Sequence, residues 1–393
     1  MNAAGRPAAP PPLAAGRSLS SLCRALRVIR AGYLAIGLLA LSAGLSVYAA
    51  TRAPGPQAAA AATAGRLPLD APLPTSVPPG VTLAIGDPVT QHVLEHTGWI
   101  KDLPFKVKWA EITGGPAVTE AFHAGALDVG SVANIPPIHA IWVGLPVKMI
   151  AVRFRADPEA FPSYELAISP KAHVDSLKDL RGKRIAYSPG QVQGEVVQRV
   201  LQAQGLSARD VTLVELPSTS ADIYVNALSA GLIDVAPLGT AAALKRYLER
   251  FGPQGAKALN TGVRDDFVTM YVPESTLKDP GKAAALRVWV QVWARAQAWI
   301  NQHPDEWARV YYEGDQGLSP QDARYTVEAL GRTVVPRDWT EAIAREQASI
   351  ALMAEATHHA PFDAHRLFDR RFETLPADAF AQAGGGAPSL AAR

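Results

Sequence analysis

The sequence predicts an α/β protein with two lobes, each a mainly parallel sheet with helices on both faces. Two observations support this fold class. A strand, a turn and a helix follow one another at residues 81–96, and the same order returns about a hundred residues later at 182–204. Residues 121–130 also match residues 227–236, where a helix ends at a glycine and a buried strand follows. Alternating strands and helices favour parallel sheets covered on both faces, and two such halves indicate two lobes.

The first 50 residues predict export from the cytoplasm. Five arginines from Arg6 to Arg30 precede residues 31–50, which carry no charge and are rich in Leu, Ala and Gly. This is the order of a secretory signal peptide, but twenty apolar residues are also long enough to span a bilayer uncut. A cleaved signal peptide and a retained signal anchor both stay open. Each places the rest of the chain in the periplasm or another extracytoplasmic space.

Composition predicts how the remaining chain is divided. Residues 51–79, rich in Ala and Pro, predict a flexible tether, and residues 381–393 predict a disordered tail. Between them we expect a first lobe of residues 80–160 and 261–380 and a second lobe of residues 161–260, joined by two crossovers. The C-terminal third of the chain is predicted to be helical and to cover the first lobe.

Charge and cysteine content exclude several functions. The formal net charge is +2, yet without the five N-terminal arginines 33 basic residues stand against 36 acidic ones. The body is therefore mildly acidic, and no nucleic-acid partner is predicted. Cys23 is the only cysteine, so one chain cannot build a disulfide framework, a cysteine zinc site or an iron–sulfur cluster.

The sequence predicts no catalytic constellation and no metal site. It contains no Gly-x-Ser-x-Gly nucleophile elbow and no group of residues that would form a catalytic triad. His92 and His96 are four residues apart on a predicted helix, a spacing at which two imidazoles share a metal, but no third ligand is identifiable. We therefore predict neither a cofactor nor enzymatic activity.

Loops at the ends of the predicted strands are the candidate binding site. In open α/β sheets, ligands bind beyond the carboxyl ends of the strands, so these loops are expected to meet in one cleft. The loop at 188–194 is the strongest candidate, because Gly190 and Gly194 allow close backbone approach and the following helix offers free N–H groups to an anion. It lacks the lysine of a phosphate loop and the spacing of a dinucleotide loop, and an ordinary strand-to-helix turn is the alternative.

Three further loop residues have two interpretations each. Asn134 stands before a helix whose first turn contains Pro136, so its side chain either caps that helix or contacts a ligand. Thr240 follows Gly239 and precedes another helix, with the same two roles open. Asp87 stands before a proline, where an aspartate either forms a turn or serves as a ligand group.

Residues 124–137, 177–186 and 230–235 carry a family resemblance. They are similar to the periplasmic solute-binding proteins of ABC importers, in particular the aliphatic-sulfonate, taurine and nitrate group, and the resemblance extends over residues 81–380. It implies a periplasmic-binding-protein fold of type II. By position it also implies that the loops after the first and second segments bind the solute. The complete set of candidate ligand-binding residues is Asp87, Gln91, Ser131, Ala133, Asn134, Ser188, Gly190, Gln191, Gly239 and Thr240.

The resemblance implies a non-catalytic receptor, expected to be monomeric, that captures a small anionic organic solute and delivers it to an ABC permease. The sulfonate binders carry a Trp-Asp-Pro-like run where this chain has residues 237–240. The resemblance therefore supports the fold more strongly than it supports a sulfonate as the solute. Two other functions stay open: a sensory binding module anchored by residues 31–50, and an enzyme on the same scaffold. A thiamine-pyrimidine synthase is similar in fold, but its cysteine-rich motif is absent from this chain.

Overall fold

The structure is a computed structural model that describes residues 65–112, 114–218 and 220–385. Its strands are β1 (Thr82–Gly86), β2 (Lys106–Trp109), β3 (Val129–Ala133), β4 (Val147–Arg155), β5 (Tyr164–Ile168), β6 (Arg184–Tyr187), β7 (Thr212–Glu215), β8 (Val235–Gly239), β9 (Lys257–Asn260), β10 (Val268–Pro273) and β11 (Thr333–Val334).

Helices of different lengths connect and cover these strands. The α-helices are α1 (Pro88–Thr97), α2 (Gly115–His123), α3 (Ile135–Trp142), α4 (Val192–Ala203), α5 (Ala221–Ala230), α6 (Ala242–Phe251), α7 (Glu274–Leu277), α8 (Pro280–Gln302), α9 (Pro304–Trp307), α10 (Pro320–Leu330), α11 (Thr340–Thr357) and α12 (Leu375–Gln382). A π-helical segment spans Ala308–Glu313, and short 3₁₀ helices span Trp99–Asp102, Leu177–Leu180, Gly252–Gln254, Ala364–Leu367 and Arg370–Phe372.

The first sheet has the strand order β11-β4-β10-β3-β1-β2. β1 runs parallel to β2 and β3, and Ile85 of β1 pairs with Val129 of β3. β10 runs antiparallel to both β3 and β4, with Met270 opposite Ser131. The strands of the first sheet come from residues before and after those of the second sheet in the sequence. Two separate stretches of chain therefore build the first lobe.

The second sheet has the strand order β7-β6-β8-β5-β9 and is built from residues 164–260 alone. β6 runs parallel to β7 and β8, and β5 runs antiparallel to β8 and β9. Apolar clusters lie against it from two sets of helices: Val196 and Val200 of α4 in one, and Leu228 and Tyr247 of α5 and α6 in the other. This arrangement is the layered packing expected of an α/β lobe.

The predicted two-lobed α/β class is confirmed, but both sheets are mixed rather than mainly parallel. The antiparallel pairs of β5 and β10 account for most of the difference. Each of these strands is the first one after a crossover. A strand that enters a lobe from the junction begins at the edge where its neighbours end, so it has to run in the opposite direction. The repeated strand–helix units carry no signal for these two strands.

The two repeated segments have the predicted local structure. α2 is followed by Gly125 with a φ of 64°, and α5 ends at Gly231 with a φ of 73°. Glycine adopts these positive angles without the steric cost of a side chain. β3 and β8 follow, and each lies in the interior of its sheet. The match therefore reflects equivalent units in the two lobes.

Part of the segment predicted as a flexible tether packs on the first lobe. The N–H of Leu67 donates to the carbonyl of Lys278 at 2.8 Å, and the Arg371 guanidinium donates to the carbonyl of Ala71 at 2.8 Å. Leu69 and Leu73 contact the core of that lobe. The prediction was therefore wrong for residues 66–79. It was based on the high content of Ala and Pro, whereas apolar side chains spaced four residues apart pack this stretch on the lobe.

The other terminal predictions concern residues at or beyond the limits of the structure. Residues 1–50 and 51–64, with the predicted export segment, and residues 386–393 lie outside the described ranges. Residues 381–385 of the predicted tail complete α12 and its C-terminal turn, where the N–H of Gly385 donates to the carbonyl of Phe380 at 2.9 Å. Within the described ranges, no helix combines the length and apolar character needed to cross a membrane.

Candidate functional site

Two crossovers, residues 156–163 and 261–267, connect the lobes and are hydrogen-bonded to each other. The carboxylate of Asp265 accepts bonds from the backbone N–H groups of Ser163 and Tyr164, at 2.8 and 2.7 Å. Burial raises the pKa of Asp265, and these two N–H groups oppose the rise. The bonds hold the two connecting segments side by side.

Asp266 has partners on both of its carboxylate oxygens. Arg264 donates to them at 3.1 and 2.9 Å, Arg345 donates to Oδ1 at 2.9 Å, and the backbone N–H of Arg155 donates to Oδ2 at 3.0 Å. Burial alone would raise the pKa of Asp266, but the hydrogen bonds and charges of the two arginines outweigh it, and the pKa is lowered. Asp266 is therefore an anion that ties the second crossover to β4 and α11.

Asp87 lies in the loop between β1 and α1 and caps that helix. Its carboxylate accepts from the backbone N–H and the hydroxyl of Thr90, at 3.2 and 2.6 Å. Burial raises the pKa of Asp87, and the bonds from Thr90 and the charge of Arg153 oppose the rise. Gln91 follows on α1 and donates to Glu95 along the same helix at 3.0 Å. Its described contact therefore stays within the first lobe.

Arg153 lies at the carboxyl end of β4, at the same edge of the sheet as Asp87, and sequence reasoning missed it. Burial lowers the pKa of its guanidinium to about 10, against the opposing charge of Asp87, so the group stays charged at neutral pH. It donates to the hydroxyl of Thr333 at 3.4 Å. The signal in the sequence is an arginine pair, Arg153 and Arg155, that alternates with apolar residues at the end of an apolar strand.

Asn134 bonds across the lobe junction instead of capping its helix. Its Nδ2 donates to Glu195 Oε2 on α4 at 3.3 Å, and to Glu346 Oε2 and Ser349 Oγ on α11 at 3.2 and 3.1 Å. Its side chain makes no capping bond to the described backbone of α3. The capping interpretation is therefore wrong. We call Asn134, Glu195, Arg199, Glu346 and Ser349 the acid cluster.

Ser131 and Ala133 lie on β3, just before Asn134. Ser131 is half-buried and pairs with Met270 within the first sheet. Ala133 packs against the hydrophobic cluster of the second lobe that contains Val192. The carboxyl end of β3 is therefore a point where the first lobe contacts the second.

The loop after β6 is shaped by Gly194. A Cβ at this position would lie 2.2 Å from the carbonyl oxygen of Ser188, so only glycine allows the loop to pack on the first turn of α4. Ser188 is buried, and its hydroxyl accepts from Ser218 at 3.3 Å. The close backbone approach at Gly194 is thus to the loop itself, and the approach of a ligand to this loop stays a prediction.

Gly190, in the same loop, faces the first lobe. A Cβ built on it would lie 3.9 Å from Nδ1 of His139 on α3. Burial lowers the pKa of His139, and a hydrogen bond to the carbonyl of Pro189 opposes this. Gln191 occupies the N-cap position of α4, and its side chain makes no capping bond to the described backbone of that helix. The loop therefore contacts α3 across the junction.

Gly239 is the last residue of β8 and Thr240 follows it, and both lie against the first crossover. The hydroxyl of Thr240 donates to the carbonyl of Pro162 at 2.6 Å, and its N–H donates to the carbonyl of Ser163 at 3.0 Å. Tyr325 on α10 donates to the carbonyl of Thr240 at 3.4 Å. The hydroxyl of Thr240 is thus engaged by the crossover.

A cavity of about 490 Å³ lies between α4, the second crossover and α11. This volume is within the usual range of small-molecule sites. Arg345 has one nitrogen, Nη1, that is buried and has no hydrogen-bond partner in the part of the chain that the structure describes. The lining consists of Asn134, Glu195, Arg199, Gln202, Ala203, Val263, Arg264, Asp265, Phe267, Glu341, Arg345, Ala348 and Ser349.

Sequence reasoning also missed Glu195 and Glu346, which meet at this junction. Each lies on a largely apolar helix face. Glu195 lies among the buried valines of α4, and Glu346 lies between Ile343 and Ile350 on the buried face of α11. A buried acid is rare unless it is paired, so an acid on an apolar face was the available signal.

His92 and His96 do not converge on a common point. Nε2 of His92 is 3.0 Å from a carboxylate oxygen of Asp315, and Nε2 of His96 is 2.7 Å from one of Glu306. Each imidazole thus has its own acidic partner. Among the described residues, no group of three or more His, Cys, Asp or Glu side chains is arranged to hold a metal ion.

Comparisons with known proteins identify the family and the fold of the chain. The sequence profile of the family described as NMT1/THI5 like matches residues 92–306, which is more than half of the chain. A protein of Escherichia coli strain K12, named for the binding of aliphatic sulfonates, is 27% identical over 106 residues. That alignment covers 27% of this chain and 32% of the relative, so it spans about a third of the relative's length.

Solved structures share the fold over most of their length. The periplasmic aliphatic sulphonate binding protein of Escherichia coli matches with a TM-score of 0.61 and 19% identity, over 73% of this chain and 91% of that chain. A desulfurization enzyme matches with a TM-score of 0.52 and 14% identity, over 77% of this chain and 99% of that chain. At these identities the likeness establishes the fold alone, and it confirms the predicted periplasmic-binding-protein fold.

Proposed function

The chain belongs to the NMT1/THI5-like family, and from this premise we propose that it is an extracytoplasmic solute receptor of an ABC importer. It binds a small anionic solute of the sulfonate class between its lobes and presents it to a permease in the cytoplasmic membrane. The similarity to a relative named for aliphatic sulfonate binding supports the solute class. The charge-free segment at 31–50, preceded by arginines, supports the location.

The observation that carries this proposal is the cavity at the lobe junction, which three guanidinium groups line together with three carboxyl groups. Arg199, Arg264 and Arg345 line it, and Arg345 Nη1 is a buried donor without a partner among the described residues. A planar guanidinium donates paired hydrogen bonds to the oxygens of a sulfonate or carboxylate. We place the anionic group of the solute beside Arg345. The apolar wall, which includes Phe267, receives its carbon chain.

Lobe movement makes such a site selective. Asn134 reaches the cavity from the first lobe, and the loop at 188–191 leads into α4, which supplies the opposite wall. Closure of the lobes removes water from the solute and so strengthens its charge interactions. The proposed contacts form together only in the closed arrangement.

Thermal unfolding of the full-length protein with a panel of solutes tests the solute class. The panel comprises alkanesulfonates, alkyl carboxylates, nitrate and alkylamines. A ligand at about 100 times its dissociation constant raises the free energy of unfolding by ~2.7 kcal/mol. We expect alkanesulfonates to raise the melting temperature. Stabilisation by amines alone, or by none of the anions, would contradict the proposal.

Two variants test where the solute binds. Arg345→Gln removes the buried donor and should weaken sulfonate binding about tenfold or more, whereas Arg337→Gln changes an exposed arginine outside the cavity and should bind normally. Ser188 does not line this cavity, so Ser188→Ala should bind normally; a loss of about 1–3 kcal/mol of binding would instead place the solute at the loop after β6. Calorimetry gives the affinities. Wild-type affinity in Arg345→Gln would reject this site.

An enzyme is the second candidate function, because a desulfurization enzyme shares the fold. Against it, the candidate ligand residues include no cysteine, and the serine Ser188 has another serine as its side-chain partner. Product analysis after incubation with a stabilising sulfonate separates the two functions. Recovery of the unchanged compound agrees with a receptor, and turnover would replace the receptor by an enzyme.

A further inference from the structure

The acid cluster brings two buried carboxyl groups from different lobes to one amide. Glu195 comes from α4 in the second lobe and Glu346 from α11 in the first, and both lie within 3.3 Å of Nδ2 of Asn134. Glu195 is 4% exposed and Glu346 is 0% exposed. Two like charges this close, and this far from water, repel each other strongly. The contact between the lobes here therefore depends on protonation.

The acid cluster contains more hydrogen-bond acceptors than donor hydrogens. Nδ2 of Asn134 carries two hydrogens but has three acceptors within 3.3 Å. Oε1 of Glu346 has no hydrogen-bond partner among the residues that the structure describes. The single hydroxyl hydrogen of Ser349 has two acceptors within reach, Oε1 of Glu195 and the carbonyl of Arg345. A proton on Glu346 would turn an acceptor into a donor and remove this deficit.

Arg199 is the cation within the acid cluster. It donates to Glu195 Oε1 at 2.9 Å and to Ser349 Oγ at 2.9 Å, so it compensates the charge of Glu195. Arg264 and Arg345 are bonded to Asp266 instead. The other charged or titratable groups on the elements that surround the pair include Glu341 and Glu355 on α11, Asp265 on the second crossover, His139 on α3, and His365 and Arg366 on the short helix that packs against α11.

We propose that the acid cluster is a proton-controlled latch between the lobes. It holds the lobes together while Glu346 carries a proton. It releases them when that proton passes to solvent, because the two carboxylates then repel each other across the junction. The latch works without a solute and so goes beyond the proposed binding function.

The direction of the response follows from the environment of Glu346. Burial, followed by the charge of Glu195, raises the pKa of Glu346 well above its usual range, against the opposing effects of Asn134, Arg199 and Arg345. Separation of the lobes removes both causes, so the closed state holds the proton more tightly than the open state. Rising pH therefore favours opening, from the ordinary pKa of glutamate up to the raised one. One proton changes the ratio of states by at most about tenfold per pH unit.

The experiment measures the distance between the lobes in the absence of solute. Arg209→Cys in the second lobe and Glu355→Cys on α11 provide exposed sites for spin labels in a full-length Cys23→Ser protein. Double electron–electron resonance is recorded at about pH 5 and about pH 8, on either side of neutrality. We expect one short distance at the lower pH and a growing population of longer distances at the higher pH.

Three variants distinguish a latch from a general effect of pH. Glu346→Gln keeps the shape of the side chain but carries no charge, so the short distance should persist at both pH values. Glu341→Gln changes an exposed acid five residues earlier on the same helix, and should respond as the wild type does. If circular dichroism shows that Glu346→Gln is unfolded, Glu195→Gln replaces it with the same expectation.

Either of two results would overturn the latch. One is a wild-type distance that does not change with pH. The other is a pH response in the neutral variant that equals that of the wild type. Because no solute is present, these results are independent of the solute-binding assays.

Discussion

Asp266 and Glu346 carry carboxyl groups buried to nearly the same depth at the lobe junction, 2% and 0% exposed, but their surroundings are opposite. Asp266 accepts bonds from two guanidinium groups and a backbone N–H, and its pKa is lowered. Glu346 accepts from the neutral amide of Asn134 and faces another carboxylate, and its pKa is raised. Burial alone therefore does not decide the charge state of a carboxyl group. The number and the sign of its partners do.

The two sites also differ in what a lobe movement does to them. Asp266 bonds the second crossover to β4 and α11, all of which belong to the first lobe or its connection. The acid cluster bonds α4 in the second lobe to α11 in the first, so opening has to break it. Asp266, whose charge is compensated by arginines, keeps the connection between the lobes fixed. Glu346, whose charge is poorly compensated, lies at a contact that opening can break.

The largest expected effect is that of Asp266→Ala. Removing one partner of a buried ionic network leaves charges uncompensated and costs about 3–5 kcal/mol. The lower end is expected here, because the Arg264 side chain is 39% exposed. Chemical unfolding at neutral pH measures the loss. Glu341→Gln, which breaks only an exposed ion pair with Arg264, should cost less than about 1 kcal/mol.

The effect of Asp266→Ala should shrink in acid. Since the folded-state pKa of Asp266 is lowered, its contribution is present above the ordinary pKa of aspartate and is lost as the pH falls through the lowered value. Equal losses at neutral and strongly acidic pH would show that the side chain acts through packing and not through charge.

A smaller effect of the opposite sign is expected for Glu346→Gln. The raised pKa means that ionised Glu346 weakens the fold at high pH, so the variant should gain about 1–3 kcal/mol there. The gain should disappear below the ordinary pKa of glutamate, where wild-type Glu346 is protonated in both states. Unfolding curves across this range measure it. A variant that is less stable than wild type at high pH would mean that Glu346 is compensated as Asp266 is.

The smallest effect is expected for Thr240→Val, at the contact between β8 and the first crossover. The substitution removes the hydroxyl that donates to Pro162 at 2.6 Å and should cost about 1 kcal/mol of folding free energy. Thr240→Ser keeps the hydroxyl and is the matched control. If both variants lose the same stability, the methyl group of Thr240 and not its hydrogen bond stabilises the contact between β8 and the first crossover.

Local features of the fold could be predicted from the sequence because each is encoded within about ten residues. A glycine after α2 and after α5 marks a helix end, and a short apolar run after each marks a strand. These signals revealed the repeat, and with it the two lobes. The direction of β5 and β10 has no local signal, since it is imposed by the side from which a crossover enters each sheet.

The candidate loops could likewise be identified from the strands they follow, but their partners could not. Asn134 lies 61 positions from Glu195 and 212 from Glu346 in the sequence, and only the folded chain brings the three together. The sequence by itself determined the fold class, the repeat and the loops at the junction. The tertiary structure decided that Asn134 bonds across the lobes, that Asp266 is compensated and that Glu346 is not, because a side chain's charge state depends on neighbours that are distant in the sequence.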